Sequence, residues 1–265
     1  MENKAERFSL LVRIGFLSRA ILYIVLGLIA LTGARKIGRG TDGIFAAIED
    51  FPLGLPVLWL MVVGLLGYAL FRLASAILDT ENHGSDPSGR AKRIGHAGSA
   101  IGHVVLAYSA YQFATAERGD GMGAQEAASS LLSVQFGGTL LGLLGTAFLA
   151  AAAFQAKKGL NGSFMSRISR RAPRATRWIG AIGYLARAAV FIVIGWSLVR
   201  VGFFSGDSHE VKTLGDAVAS LTGQRILFPL VASGLLAFGL FSLVLARFRI
   251  IPDLAAQCRI QPSAA

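Results

Sequence analysis

The sequence predicts an all-α fold: an integral membrane helical bundle of six transmembrane helices, laid out as three parallel two-helix repeats in a pseudo-threefold arrangement. Three observations predict it. Apolar residues make up 54% of the 265-residue chain and charged residues only 15%, against about 25% charged in an ordinary soluble domain. One apolar pattern occurs twice, 168 residues apart: IGFLSRAILYIVLG at 14–27 and IGYLARAAVFIVIG at 182–195, identical at eight of fourteen positions. The basic residues also segregate between alternate connections, as a chain that crosses a bilayer repeatedly requires.

A helix needs about 20 apolar residues to cross the hydrocarbon core. Runs of that kind lie near 14–34, 55–78, 97–116, 136–156, 179–201 and 226–246. The first has a basic lead-in and a weak cleavage-like Thr32-Gly33-Ala34, the marks of a secretory signal. Its recurrence at 182–195, deep in the chain, predicts instead a span that is retained. The second carries GLLGYALFRL at 64–73, and the sixth repeats it as GLLAFGLFSL at 234–243, identical at six of ten positions. The third, GSAIGHVVLAYSA at 98–110, aligns with 15–27 at an offset of 83, with Gly98 in place of Gly15 and Gly102 in place of Arg19. The fourth, GLLGTAFL at 142–149, matches 64–71 at an offset of 78, while an offset of 83 pairs Phe154 with Phe71; both registers stand. The expected organisation is one membrane domain over 1–265 with repeats at 8–82, 90–160 and 174–250. Two spans per repeat make successive repeats enter in the same direction, which relates them by an axis along the membrane normal.

Charge orients the bundle. All fifteen acidic residues lie outside the apolar runs, and within the body of the runs the basic residues are Arg19, Arg72 and Arg187. The N-terminal tail, the second and fourth connections and the C-terminal tail together hold sixteen Lys and Arg; the other connections hold seven: Arg35, Lys36, Arg39, Arg118, Arg200, Lys212 and Arg225. The positive-inside rule then puts both termini in the cytoplasm. The single cysteine, Cys258, forms no internal disulfide and is expected in a reducing compartment. The opposite connections each hold a short amphipathic piece: GIFAAIEDF, EAASSLLSV and LGDAVASLTG, the last with capping-box spacing between Thr213 and Asp216. Asp42, Glu49, Asp50, Glu117, Asp120, Glu126, Asp207, Glu210 and Asp216 make that side an acidic, solvated rim.

Water does not drive helices together inside a bilayer, so close approach through small residues does much of that work. Gly15, Arg19, Tyr23 and Gly27 share a helix face at a spacing of four, and Gly183, Arg187, Phe191 and Gly195 repeat it. Gly15, Gly27, Gly98, Gly102, Gly183 and Gly195 are therefore expected in packing seams.

An arginine within a span is a functional candidate by default. Arg19, Arg72 and Arg187, with His103 beside the middle-repeat counterpart of Arg19, form a candidate inward-facing polar site for an anion or a lipid phosphate. Snorkelling to headgroups is the plainer alternative, because Arg19 lies only about 9 Å past Arg13 at the helical rise. His96 and His103 share a face, but no other span supplies an imidazole, so neither metal nor cofactor is expected. Residues 157–177, KKGLNGSFMSRISRRAPRATR, hold seven basic residues and no acid; next to a bilayer this predicts contact with anionic headgroups, not with nucleic acid.

These tandem two-helix repeats, with a glycine near the start of the first helix, a small residue or arginine four residues on and an aromatic after it, resemble a bacterial membrane family known only as domain of unknown function 1206. The resemblance covers roughly residues 8–250. It implies the architecture and a multi-pass protein of the bacterial inner membrane, and brings no activity. No span holds an acid and no catalytic constellation occurs at usable spacing, so an enzyme is not expected. Two classes remain: a non-catalytic scaffold or anionic-lipid-binding module, with another membrane protein as a candidate partner, and a passive channel or transporter for a small solute, with an anion as one candidate, along the pseudo-threefold axis.

Overall fold

Backbone N–H and C=O groups in hydrocarbon must be satisfied within their own segment, and this chain meets that demand with helices. The computed structural model describes residues 2–32, 40–50, 52–79, 84–115 and 124–251, and for 2–8, 40–44, 124 and 126 the backbone alone. Cys258, Arg259, His83, Arg35, Lys36, Arg39, Arg118, Glu117 and Asp120 lie outside the described residues, as do the side chains of Lys4, Arg7, Asp42 and Glu126. The helices are α1 (Glu2–Thr32), α2 (Gly40–Glu49), α3 (Gly54–Ile77), α4 (Pro87–Thr115), α5 (Ala124–Leu132), α6 (Gly137–Asn161), α7 (Thr176–Arg200), α8 (Leu214–Ala219) and α9 (Leu227–Phe248). Among the described residues there is no sheet, only an isolated antiparallel bridge between Ile168 and Arg249.

Among the described residues, five segments are long and apolar enough to cross a membrane: Ser9–Thr32, Gly54–Ile77, Gly137–Asn161, Thr176–Ser205 and Leu227–Phe248. The run expected near 97–116 is helical as part of α4, yet it is not one of the five. Gly95, His96, Ser99, Gly102, His103, Ser109 and Gln112 dilute its apolar content. The three short amphipathic pieces appear as α2, α5 and α8. The capping box at α8 is formed: the Asp216 amide donates to Thr213 Oγ1 at 3.3 Å, and the Thr213 amide donates to Asp216 Oδ2 at 3.0 Å.

Packing follows one path through the long helices: α4 on α3, α3 on α1, α1 on α9, α9 on α7 and α7 on α6. Each neighbour runs antiparallel to the last. At the start of α1, Arg13 donates to the Ala246 and Arg247 carbonyls near the end of α9, at 2.8 and 2.7 Å. At the start of α4, Arg93 donates to the Ala76 and Ile77 carbonyls closing α3, at 2.8 and 2.9 Å. The path is open, since α4 and α6 form no packed interface with each other.

Glycines set the seams. A Cβ on Gly15 would stand 2.5 Å from the Tyr68 Cβ, and one on Gly183 would stand 2.7 Å from the Phe238 Cα. A Cβ on Gly27 would stand 2.8 Å from the Leu236 Cβ, and one on Gly195 would stand 2.9 Å from the Gly145 carbonyl oxygen. Two expected seam glycines behave otherwise. Gly98 and Gly102 face open space, with no atom within 4 Å of a built Cβ. The reason is the orientation of α4: it turns Ala100, Ala107 and Ala110 inward as its buried residues, which leaves the glycine side outward.

Candidate functional site

The four polar residues singled out in the spans are not scattered. α1 carries Arg19 inward to 5% exposure, α3 carries Tyr68 and Arg72, and α4 brings His103 to the same tyrosine. Tyr68 Oη is the hub. It accepts from an Arg19 terminal nitrogen at 2.8 Å and from Arg72 Nε at 2.9 Å. Arg19 Nε also donates to Ser242 Oγ of α9 at 3.2 Å, and Ser242 in turn donates to the Phe238 carbonyl. The His103 ring lies 4.5 Å, centroid to centroid, from that of Tyr68. Its Nδ1 donates to the Ser99 carbonyl at 2.6 Å, the local bond that a helical histidine ordinarily makes. His96 Nδ1 accepts from Arg72 at 2.9 Å, so the shared-face histidines serve different partners.

Arg187 joins the group through an aromatic ring. Its guanidinium carbon lies 4.5 Å from the Phe238 ring centre and 4.8 Å from that of Phe191. The Arg19 carbon lies 5.0 Å from the same Phe238 ring and 4.8 Å from Phe16. Arg249 stacks over Phe16 and Phe71 at 5.4 and 5.8 Å. Ring faces carry negative charge density, worth on the order of 2 kcal/mol per contact when desolvated. An aromatic lattice therefore holds these cations: Phe16, Tyr68, Phe71, Phe238 and Phe241 are all fully buried. The Arg19 guanidinium ends on Tyr68 and Ser242 inside the bundle.

Arg19 and Arg187 match in sequence but not in surroundings. Tyr68 in α3 corresponds to Phe238 in α9, which has no hydroxyl to offer. Arg187 Nε is buried without a hydrogen-bond acceptor, and so is Gln155 Oε1 of α6 without a donor. Sequence reading missed Tyr68, Ser242 and Arg249. Tyr68 was visible within GLLGYALFRL as the polar aromatic that its counterpart lacks; Arg249 read only as tail charge.

A second basic cluster lies at the end of the bundle where α1 starts and α9 ends. The Ser169 amide donates to the Phe248 carbonyl at 2.9 Å and the Ile250 amide to the Arg167 carbonyl at 3.0 Å. These bonds staple the 157–177 segment to the end of α9. The result is a groove of about 660 Å³ lined by Arg13, Ser169, Arg171, Arg247 and Arg249 among others, with no acidic residue in its wall among the described residues. A separate apolar groove of about 370 Å³ lies between α1, α2 and α3, lined by Ile21, Val25, Ile48 and Val57 among others. Among the described residues no group of three or more His, Cys, Asp or Glu is placed to hold a metal ion.

Long apolar helices packed through glycine, with Arg19 buried among rings, define a multi-pass helical membrane protein. The chain belongs to the bacterial family described as Domain of Unknown Function (DUF1206), whose model matches residues 14–79, 94–162 and 182–249. It is 29% identical over 242 residues to "Uncharacterized protein YxxB" of Bacillus subtilis (strain 168), with 88% of each chain covered. No solved structure matches it.

Proposed function

We propose that this protein is a non-catalytic inner-membrane module that binds anionic lipid at its basic, cytoplasmic end. The groove at 169–171 and 247–249 carries the reading. Among the described residues four arginines line it without an acid, and Arg13 is pinned in place by two carbonyls. A phosphodiester headgroup suits such a fork of guanidiniums, each of which offers paired N–H donors.

The bundle behind the groove reads as three two-helix repeats around a pseudo-threefold axis, with α4 as the sixth span and both termini cytoplasmic. Equivalent contacts support this. Gly64 approaches Ser18 and Ile14, and Gly234 approaches their counterparts Ala186 and Ile182. Gly27 meets Leu236 and the Ala232 carbonyl, whereas Gly195 meets Leu149 and the Gly145 carbonyl. That second pair favours the offset of 83 for α6, since Leu149 then corresponds to Leu66 and Leu236. The filled interior, with its fully buried rings, favours a scaffold over a wet anion path through Arg19, Arg187 and His103.

The test uses detergent-purified protein and nanodiscs of phosphatidylglycerol or phosphatidylcholine. Each basic residue near an anionic surface contributes about 1 kcal/mol. Replacing Arg171 and Arg247 with Gln should therefore weaken the preference for phosphatidylglycerol roughly 30-fold, with unchanged helicity. An undiminished preference in the double variant would remove the groove as the lipid site.

A further inference from the structure

Five of the six helix contacts that a closed ring of three hairpins needs are made, and the sixth is missing. Within the first repeat α1 packs on α3, and within the third α7 packs on α9, but within the middle repeat α4 and α6 stand apart. The two halves of the absent interface are nonetheless present. On α4, Gly98 occupies the position of Gly15 and Gly183, which seat against Tyr68 and Phe238. On α6, Ala147 and Ala150 occupy the positions of Gly64 and Gly67, at the offset of 83. Both alanines are exposed, whereas Gly64 and Gly67 seat against α1. Ile101 of α4 takes the position of Ser18 and Ala186, the residues that meet Gly64 and Gly234, and is 68% exposed.

We infer that a second copy of this chain fills the seam, with α4 of each protomer packing on α6 of its partner about a twofold axis along the membrane normal. The inference rests on the three-repeat reading. Each copy exposes both halves of one interface, so a twofold pair satisfies all four faces at once, and closed isologous contacts are the usual outcome for identical chains. Rotation about the membrane normal preserves helix directions, so α4 meets the partner's α6 antiparallel, as α1 meets α3. Lipid tails do not account for the face. Gly95, Gly98 and Gly102 all face open space on one helix, and each glycine costs about 1 kcal/mol of helix propensity against alanine. Hydrocarbon packs on any apolar surface, whereas a helix at close range repays that cost through dispersion.

The experiment starts from Cys258→Ser and co-expresses two differently tagged chains, one carrying Ile101→Cys and the other Ala147→Cys. On oxidation with copper phenanthroline, a disulfide joining the two differently tagged chains is expected. Cross-linking of Ile101→Cys to itself, through a symmetric α4 pair, would overturn the proposal. An internal disulfide in a monomeric Ile101→Cys/Ala147→Cys chain would overturn it too, while sustaining the three-repeat reading. Reaction of Ile101→Cys with a membrane-impermeant maleimide in intact membranes marks failure of the six-span reading itself. Gly98→Leu supplies the second measurement, since a side chain there meets nothing within one chain. Light scattering in detergent should show a folded monomer, with dimer affinity lowered at least tenfold; a Gly98→Leu dimer as tight as the parent would sink the inference.

Discussion

Tyr68 shows how one oxygen decides what a buried arginine does. Its hydroxyl takes hydrogen bonds from both Arg19 and Arg72, and its ring lies 5.1 Å from the Arg19 guanidinium carbon. Hydrogen bonds to charged groups contribute about 1.5–3 kcal/mol, and leaving a buried charge without its acceptor adds the desolvation penalty. Tyr68→Phe should therefore destabilise the bundle by roughly 3 kcal/mol, read as a fall in thermal midpoint in detergent, because the ring contacts survive and the acceptor does not. Phe191→Leu, which removes one ring from Arg187 and no hydrogen bond, should cost about 1–2 kcal/mol, combining the lost cation–π contact with the change in packing. Equal losses in the two variants would refute the hub. The arginines themselves were legible, since charge inside an apolar run stands out. Their partners were not: a tyrosine and a serine are ordinary in a membrane helix, and only the crossing of α1 between α3 and α9 brings Tyr68 and Ser242 to one guanidinium.

Among the helices, the same residue type carries opposite consequences according to what faces it. Gly15 and Gly183 sit against the neighbouring helix, so Gly15→Leu or Gly183→Leu must force α1 from α3 or α7 from α9. Folded yield should drop several-fold in each, as overpacking costs about 1–3 kcal/mol or more. Gly98→Leu in the homologous position should leave yield near the parent level, measured by fluorescence-detected size exclusion of tagged chains. Comparable losses at all three would mean that the middle hairpin is closed like the others. Helix positions, the short amphipathic pieces and the Thr213–Asp216 cap could be read from periodicity and spacing, because each depends on local chemistry. The outward turn of Gly98 and Gly102 could not, because repeat alignment assumes that every copy packs alike. The register of α6 was equally hidden: its glycines match Gly64 and Gly67 at an offset of 78, whereas Phe154 matches Phe71 at 83, and on the three-repeat reading the approach of Gly195 to Leu149 favours the second.

At the scale of the whole molecule, the number of crossings turns on α4. Among the described residues five helices qualify by length and apolar content, and an odd count would put the basic 157–177 segment and the Arg93 end of α4 on opposite sides of the membrane. Packing argues otherwise. Arg93 caps the end of α3, Arg13 caps the end of α9, and the Ser169–Phe248 bond ties the 157–177 segment to that same α9 end. One end of the bundle thus gathers the arginine-rich connections, while Glu210, paired with Arg200, lies at the other. For a helix with no Asp, Glu, Lys or Arg between Arg93 and Thr115, crossing is affordable despite its glycines and histidines, since His96 accepts from Arg72 of α3 and His103 bonds the Ser99 carbonyl of its own helix. Ser85 and Ser130 flank α4, and both are exposed. In a Cys258→Ser background, a membrane-impermeant maleimide applied to intact spheroplasts should label Ser130→Cys and spare Ser85→Cys until the membrane is opened. The same result at both positions before lysis, labelled or protected, would mean that α4 does not cross, leaving five crossings with α6 as the one span of the middle repeat.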